Sequence, residues 1–121
     1  MNEQKFELQK RIYSYALKIV RFVKSLPKNY EHQILGNQLL RSGTSVAANV
    51  IEAYAASSKK DFINFYHHAL KSTNESKLWL ALIRDTNDQG KDQIKGLFEE
   101  TIEIDKILAA SLLTMKNKRR F

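Results

Sequence analysis

The chain has 121 residues, 43% of them hydrophobic, and a formal net charge of +7. This length and composition predict a single domain with one core, spanning residues 1–121. Cysteine is absent, which excludes a disulfide framework, a thiolate metal site and a thiol nucleophile. No apolar run reaches the roughly 18 residues of a membrane span, and the N-terminus has no signal-peptide core, so we expect a cytoplasmic protein without a membrane partner.

Two long amphipathic helices are predicted in the first half of the chain. The first runs from about Gln4 to Leu26 and stops before Pro27, which cannot continue a helix. The second runs from about Tyr30 to Ala56, and Ser58 is a candidate N-cap for the helix that follows. The apolar positions of the first helix recur at steps of three and four: Leu8, Ile12, Tyr15, Ile19, Val23 and Leu26.

Two further helices are predicted in the second half. One covers roughly Lys59 to Asp85, and the polar, glycine-containing segment 86–91 ends it. The other covers about Lys91 to Lys116, followed by a short basic tail, residues 116–121. Short connections between long helices favour antiparallel neighbours, so the expected fold is an all-α, up-down-up-down four-helix bundle. The inward positions expected on the third helix are Phe62, Phe65, Ala69, Ser76, Leu80 and Ile83.

The second helix carries an unusual line of polar side chains, which we call the polar stripe. Its members fall within an arc of roughly 80° beside an apolar stripe. Such an arrangement indicates packing on both sides, either between helices or between subunits. The polar stripe consists of Gln38, Arg41, Ser45, Asn49 and Glu52.

The motif Q-L-x-R-(x)3-S-[IV]-(x)2-N-[IV]-x-E, read from Gln38 to Glu52, resembles the signature of the four helix bundle family, the 23S rRNA intervening-sequence proteins. The run from Ala69 to Asp85 resembles that family's third helix, and the match extends from about Phe6 to Met115. The resemblance implies a four-helix bundle that forms a closed homo-oligomer, because structurally known relatives are ring-shaped pentamers. It also implies an association with RNA: the family is linked to genes inserted in 23S rRNA. Distant relatives assist the reverse transcriptases of diversity-generating retroelements.

A partner for Arg41 can be predicted from the hairpin between the second and third helices. With a turn near Ser57, Glu75 lies level with Arg41, whereas Glu52 is roughly 16 Å away along the helix axis. The sequence therefore predicts an Arg41–Glu75 ion pair within a structural polar network. The same helix carries small residues that would admit another helix closely, in the same protomer or in a second one: Gly36, Ser42, Gly43, Ala47 and Ala48.

The excess of positive charge lies in residues 1–28 and 116–121, whereas residues 29–90 are neutral overall. On the first helix the cations occupy an arc of about 140° opposite the apolar positions, so they are expected in solvent. The up-down topology brings the basic tail back to the end where the first helix begins. The predicted nucleic-acid-binding residues are Lys10, Arg11, Lys18, Arg21, Lys24, Lys116, Lys118, Arg119 and Arg120.

No motif for catalysis, metal binding or a cofactor is found. His67 and His68 are adjacent and point about 100° apart on one helix, so they cannot easily share a metal. Trp79 lies in an apolar run that is typical of a core or a subunit contact. Two classes of function remain: an RNA-associated accessory protein, which binds through phosphates, and a structural adaptor for a protein partner. An ordinary solvated lysine face is the alternative interpretation of the basic residues.

Overall fold

The structure, a computed structural model, describes residues 3–118, apart from the side chains of Gln4 and Lys118. It contains four helices: α1 (Glu3–Ser25), α2 (Tyr30–Tyr54), α3 (Lys59–Thr86) and α4 (Lys91–Lys118). No strand occurs in this range, and the prediction of an all-α four-helix bundle is confirmed. The predicted helix bounds differ from the observed ones by at most two residues.

The helix ends are fixed by local chemistry. The side chain of Asn29 accepts a hydrogen bond from the backbone amide of His32 (3.0 Å), and that of Ser58 accepts one from the amide of Asp61 (3.1 Å). Each cap satisfies a donor that the first helical turn cannot pair internally. Gly90, directly before α4, has a φ of +70°, a conformation that favours glycine. The connections between helices are therefore short and well defined.

Consecutive helices pack against each other, α1 on α2, α2 on α3 and α3 on α4. The contact between the first and the last helix is much thinner, so the bundle stays partly open along one side. Across the α1–α4 seam the hydroxyl groups of Tyr15 and Thr101, both fully buried, lie 2.7 Å apart and share a hydrogen bond. This bond satisfies the only polar group of a tyrosine deep in the core.

The core differs from the expectation on α3. Ile63 and Tyr66 are buried, whereas Phe62 and Phe65 are only partly buried. A tyrosine can occupy the interior here because the hydroxyl groups of Tyr66 and Tyr54 are 2.9 Å apart and form a hydrogen bond. In the first two turns of α3, the face that packs into the core is therefore rotated relative to the predicted one. Further along the helix, the burial of Ala69, Ser76, Leu80 and Ile83 is as predicted.

The two glycines of α2 face α1. A side chain at Gly43 would place its Cβ 2.8 Å from Cγ2 of Ile19, and one at Gly36 would lie 3.1 Å from Cδ1 of Leu26. Both glycines therefore allow a close approach within the protomer, and they supply no surface for a second subunit. Of the other small residues, Ser42 is buried, Ala47 is partly buried and Ala48 is exposed.

Candidate nucleic-acid interface

Three cations of α1 are exposed along the outer face of the bundle: Lys18, Arg21 and Lys24. Their exposure follows from helical periodicity, because Ile19 and Phe22 on the same helix are buried in the core. Among residues 3–118 no carboxylate forms an ion pair with any of the three. Their charges are thus available to an external anion, and that of Lys18 also acts on Glu100, whose pKa it helps to lower. Lys10, also exposed, lies 3.8 Å from the carboxylate of Glu7.

Arg11, which the sequence assigns to the same surface, has a different environment. Its guanidinium donates to both carboxylate oxygens of Glu100, at 2.6 and 3.2 Å, and to Glu103 at 2.7 Å. Two carboxylates of α4 surround this single positive charge and leave the group with a net charge of −1, so the prediction that Arg11 contacts nucleic acid does not fit this geometry. The bidentate arrangement instead ties α1 to α4 across their thin contact.

The pair affects the titration of Glu100. Hydrogen bonding from Arg11 lowers the pKa of this carboxyl below its ordinary value of 4.5, against the opposing effect of burial. A carboxylate with a lowered folded-state pKa adds stability above its unfolded pKa, and that stability is lost as the pH falls through the folded-state value.

The Arg11–Glu100 contact predicts a pH-dependent loss of stability. Replacing Glu100 by Gln should lower the midpoint of urea unfolding at pH 6 more than at pH 3, because pH 3 lies below the ordinary pKa of 4.5, where the unfolded chain takes up a proton at this carboxyl and part of the stabilisation is lost. Urea titrations of both proteins at the two pH values measure this. An equal difference between the proteins at both pH values would show that the ion pair adds no pH-dependent stability.

A depression of about 300 Å³ lies between α1 and α4 beside these cations. Lys18 and Arg21 line it from α1, and Gln93, Gly96, Leu97 and Glu100 line it from α4. A Cβ added at Gly96 would meet nothing within 4 Å, so packing does not require a glycine there. The missing side chain leaves helix backbone accessible next to two cations. Gln93 and Gly96 were not predicted, and their only sequence signal is a glycine inside a helical segment.

The basic tail is described only in part. Lys116 is exposed on the last turns of α4, whereas the side chain of Lys118 and all of Arg119 and Arg120 lie outside the described residues. Burial and the nearby charge of Lys116 lower the pKa of His67 on α3. At the same end, the ammonium of Lys5 lies 4.9 Å from the ring centre of Tyr54. The end of α4 and the start of α1 thus lie at the same end of the bundle.

Part of the polar stripe forms hydrogen bonds between α2 and α3. Ser45 accepts from the Asn49 amide (3.0 Å) and from the Ser72 hydroxyl (3.0 Å) through its Oγ. One turn away, the hydroxyl groups of Ser42 and Ser76 are 2.8 Å apart. These bonds allow the two helices to approach closely without leaving buried polar groups unpaired.

The other members of the polar stripe face outward. Arg41 and Glu75 are both exposed and line one depression of about 510 Å³ between α2 and α3, together with Gln38. No ion pair joins them among the residues described, so the predicted Arg41–Glu75 pair is wrong for the single protomer. The serine contacts join residues whose numbers sum to 118 and 117, against 116 for Arg41 and Glu75, so the assumed register is right to within one or two residues. The two side chains are exposed and do not form a pair. Glu52 is exposed near the end of α2.

The remaining candidates have structural environments. His32 is buried, and its Nδ1 lies 2.7 Å from the side-chain oxygen of Asn29. Trp79 is half-buried, and none of the described residues accepts a hydrogen bond from its buried indole nitrogen. No group of metal-ligating side chains occurs in the part of the chain that the structure describes. Within residues 3–118, none of the helices combines the length and apolarity that crossing a bilayer requires.

Comparison with known proteins places this fold in a family. No curated protein matches the chain. A crystal structure of a protein of unknown function, from the S23 ribosomal protein family of Bacteroides thetaiotaomicron, is 34% identical with a TM-score of 0.78, covering 86% of this chain and 96% of the other. The family model of the 23S rRNA-intervening sequence proteins matches residues 4–110 of this chain. The chain therefore belongs to the 23S rRNA-intervening sequence protein family.

Proposed function

We propose that this protein is a non-catalytic RNA-binding accessory protein that holds RNA through phosphates on the α1 surface. The observation that supports this most is the row of exposed cations without acidic partners in the described range, Lys18, Arg21 and Lys24. The name of the family adds a link to rRNA. The surface offers its cations to phosphates, so the binding we propose would be largely independent of sequence.

The geometry of the α1–α4 depression suits a sugar–phosphate backbone. Lys18 and Arg21 supply charge-assisted donors at one wall, and the exposed backbone at Gly96 leaves room at the other. Arg11 donates two hydrogen bonds to Glu100 on the same wall, so this carboxylate repels an anion less than an unpaired one would, although Arg11 is shared with Glu103. Binding of this kind releases counterions and must weaken as salt rises.

Filter binding of a labelled single-stranded RNA at several salt concentrations tests the proposal. The logarithm of the affinity should fall linearly with the logarithm of the salt concentration, by about 0.7 per neutralised phosphate. Absence of retention at low salt would contradict it, and the protein would then be a structural adaptor for another protein. The resemblance suggests two RNA roles, assistance to a reverse transcriptase and association with rRNA, and co-purification with a reverse transcriptase tests the first of them.

The proposal includes assembly into a closed homo-oligomer, with a pentamer suggested by the resemblance. The surface that supports assembly is the outer side of α2 and α3, where Arg41 and Glu75 present opposite charges without forming a pair in the protomer. Ile34, Leu78 and Leu82 are exposed on the same two helices, at 44%, 52% and 39%. A second copy would bury these apolar side chains and could pair its Arg41 with Glu75 of the first.

Charge reversal at this surface is expected to weaken assembly. Replacing Glu75 by Arg should lower the mass measured by light scattering during size exclusion, because like charges would then meet across the contact. The combined Arg41→Glu and Glu75→Arg protein should regain part of that mass. A wild-type mass of 14.0 kDa at micromolar concentration would contradict the oligomer.

A further inference from the structure

An aromatic cluster lies at the end of the bundle where α1 begins and α4 ends. The ring centres of Phe62 and Tyr66 are 4.7 Å apart in a stacked arrangement, and Tyr54 meets Phe62 edge-on at 5.2 Å. Burial raises the pKa of Tyr66, so its hydroxyl stays protonated and neutral. The cluster is only partly covered, because Tyr54 and Phe62 are both half-buried.

Two adjoining depressions open onto this cluster, and both are lined by Phe62 and Met115. One, of about 360 Å³, has the aromatic rings on one wall and Ser111 and Thr114 of α4 on another. The other, of about 410 Å³, is lined by Lys59 and the hydroxyl-bearing residues of the α2–α3 turn. Flat aromatic surface, sulfur and hydroxyl groups are thus accessible together in one place.

The rim of these depressions is basic. Lys59 lines one of them, and the ammonium of Lys5 lies over the ring of Tyr54, which lines the other. Lys60 and Lys116 are exposed at the same end of the bundle. Glu3, Glu52 and Asp61 are also exposed at this end, but none of them lines the two depressions. A ligand with a flat apolar part and a negatively charged part matches this combination.

We propose that the aromatic cluster receives an unpaired nucleobase of a bound RNA, stacked against Phe62, while the surrounding lysines hold the adjacent phosphates. Aromatic side chains beside a basic groove bind single-stranded nucleic acid in this way, with little base preference. This inference rests on the proposed RNA-binding function but concerns a separate place. Lys5 and Lys18 are thirteen residues apart on α1, roughly 20 Å along its axis.

The test compares two oligomers of equal length and charge, a uridine RNA of about ten nucleotides and an abasic strand with the same sugar–phosphate backbone. Fluorescence anisotropy of the labelled strands gives both affinities for the full chain. The wild type should bind the uridine strand about tenfold more tightly. Equal affinities would overturn the base pocket and leave the phosphate surface standing, whereas no binding of either strand would contradict the proposed function itself.

Two variants locate the effect. Phe62→Leu removes the aromatic face, and Thr114→Leu fills part of the depression with an aliphatic side chain from an exposed position on α4. In each, the ratio of the uridine-strand affinity to the abasic-strand affinity should fall close to one, with binding of the abasic strand unchanged. Ala109→Leu is the matched control, because Ala109 is exposed on the same helix and lies outside the lining. A preference kept by the folded Phe62→Leu protein, or lost equally in the control, would overturn the proposal.

Discussion

Replacing Lys18 and Arg21 together by glutamate is expected to lower the affinity for single-stranded RNA by about tenfold or more at low salt. Both side chains are exposed, form no ion pair in the described range, and line the depression between α1 and α4. The loss of two phosphate contacts should also reduce the magnitude of the salt slope by about 1.4. Filter binding at a series of salt concentrations measures both quantities.

The control must change net charge equally without touching this surface. Lys95 and Lys106 are exposed on α4 and do not line the depression, so their joint replacement by glutamate is the matched variant. It should keep most of the affinity and the salt slope. Equal losses in the two double variants would show that overall charge, and not the α1 surface, attracts the RNA. Circular dichroism of all three proteins establishes that the bundle remains folded.

The fold was predictable because its signals are local. The stop at Pro27 and the cap at Ser58 act on their own neighbours, and the spacing of apolar residues defines each helix without knowledge of the rest. The same spacing placed Lys18 and Arg21 in solvent, since the face opposite the core of a helix is exposed whatever packs against that core.

Features that depend on two helices were less predictable. The partners of Arg11 are acids of α4, and nothing in the spacing of α1 indicates how closely the first and last helices approach. The Arg41–Glu75 prediction placed the two residues level, which is right to within one or two residues, but a level position does not say whether two exposed side chains point toward each other. The glycines of α2 correctly predicted a close contact, but the sequence left open which helix makes it. In the structure that helix is α1.

Replacing Gly43 by alanine should destabilise the bundle by about 1 kcal/mol. The added Cβ would lie 2.8 Å from Cγ2 of Ile19, a branched and fully buried side chain that cannot move aside freely. Overpacking of this kind costs about 1 to 3 kcal/mol, and the gain in helix propensity offsets up to about 1 kcal/mol of it. Urea unfolding followed by circular dichroism gives the change in free energy.

The effect should reverse when Ile19 is shortened. Ile19→Ala alone should cost about 2 to 5 kcal/mol, because it opens a cavity beside Gly43. In that background the Cβ added by Gly43→Ala no longer clashes with the side chain at position 19. The gain in helix propensity, up to about 1 kcal/mol, should therefore appear as stabilisation. Gly96→Ala, whose Cβ meets nothing within 4 Å, should stabilise the wild type by a similar amount. If Gly43→Ala destabilises both backgrounds equally, the contact with Ile19 is not the reason why position 43 requires a glycine.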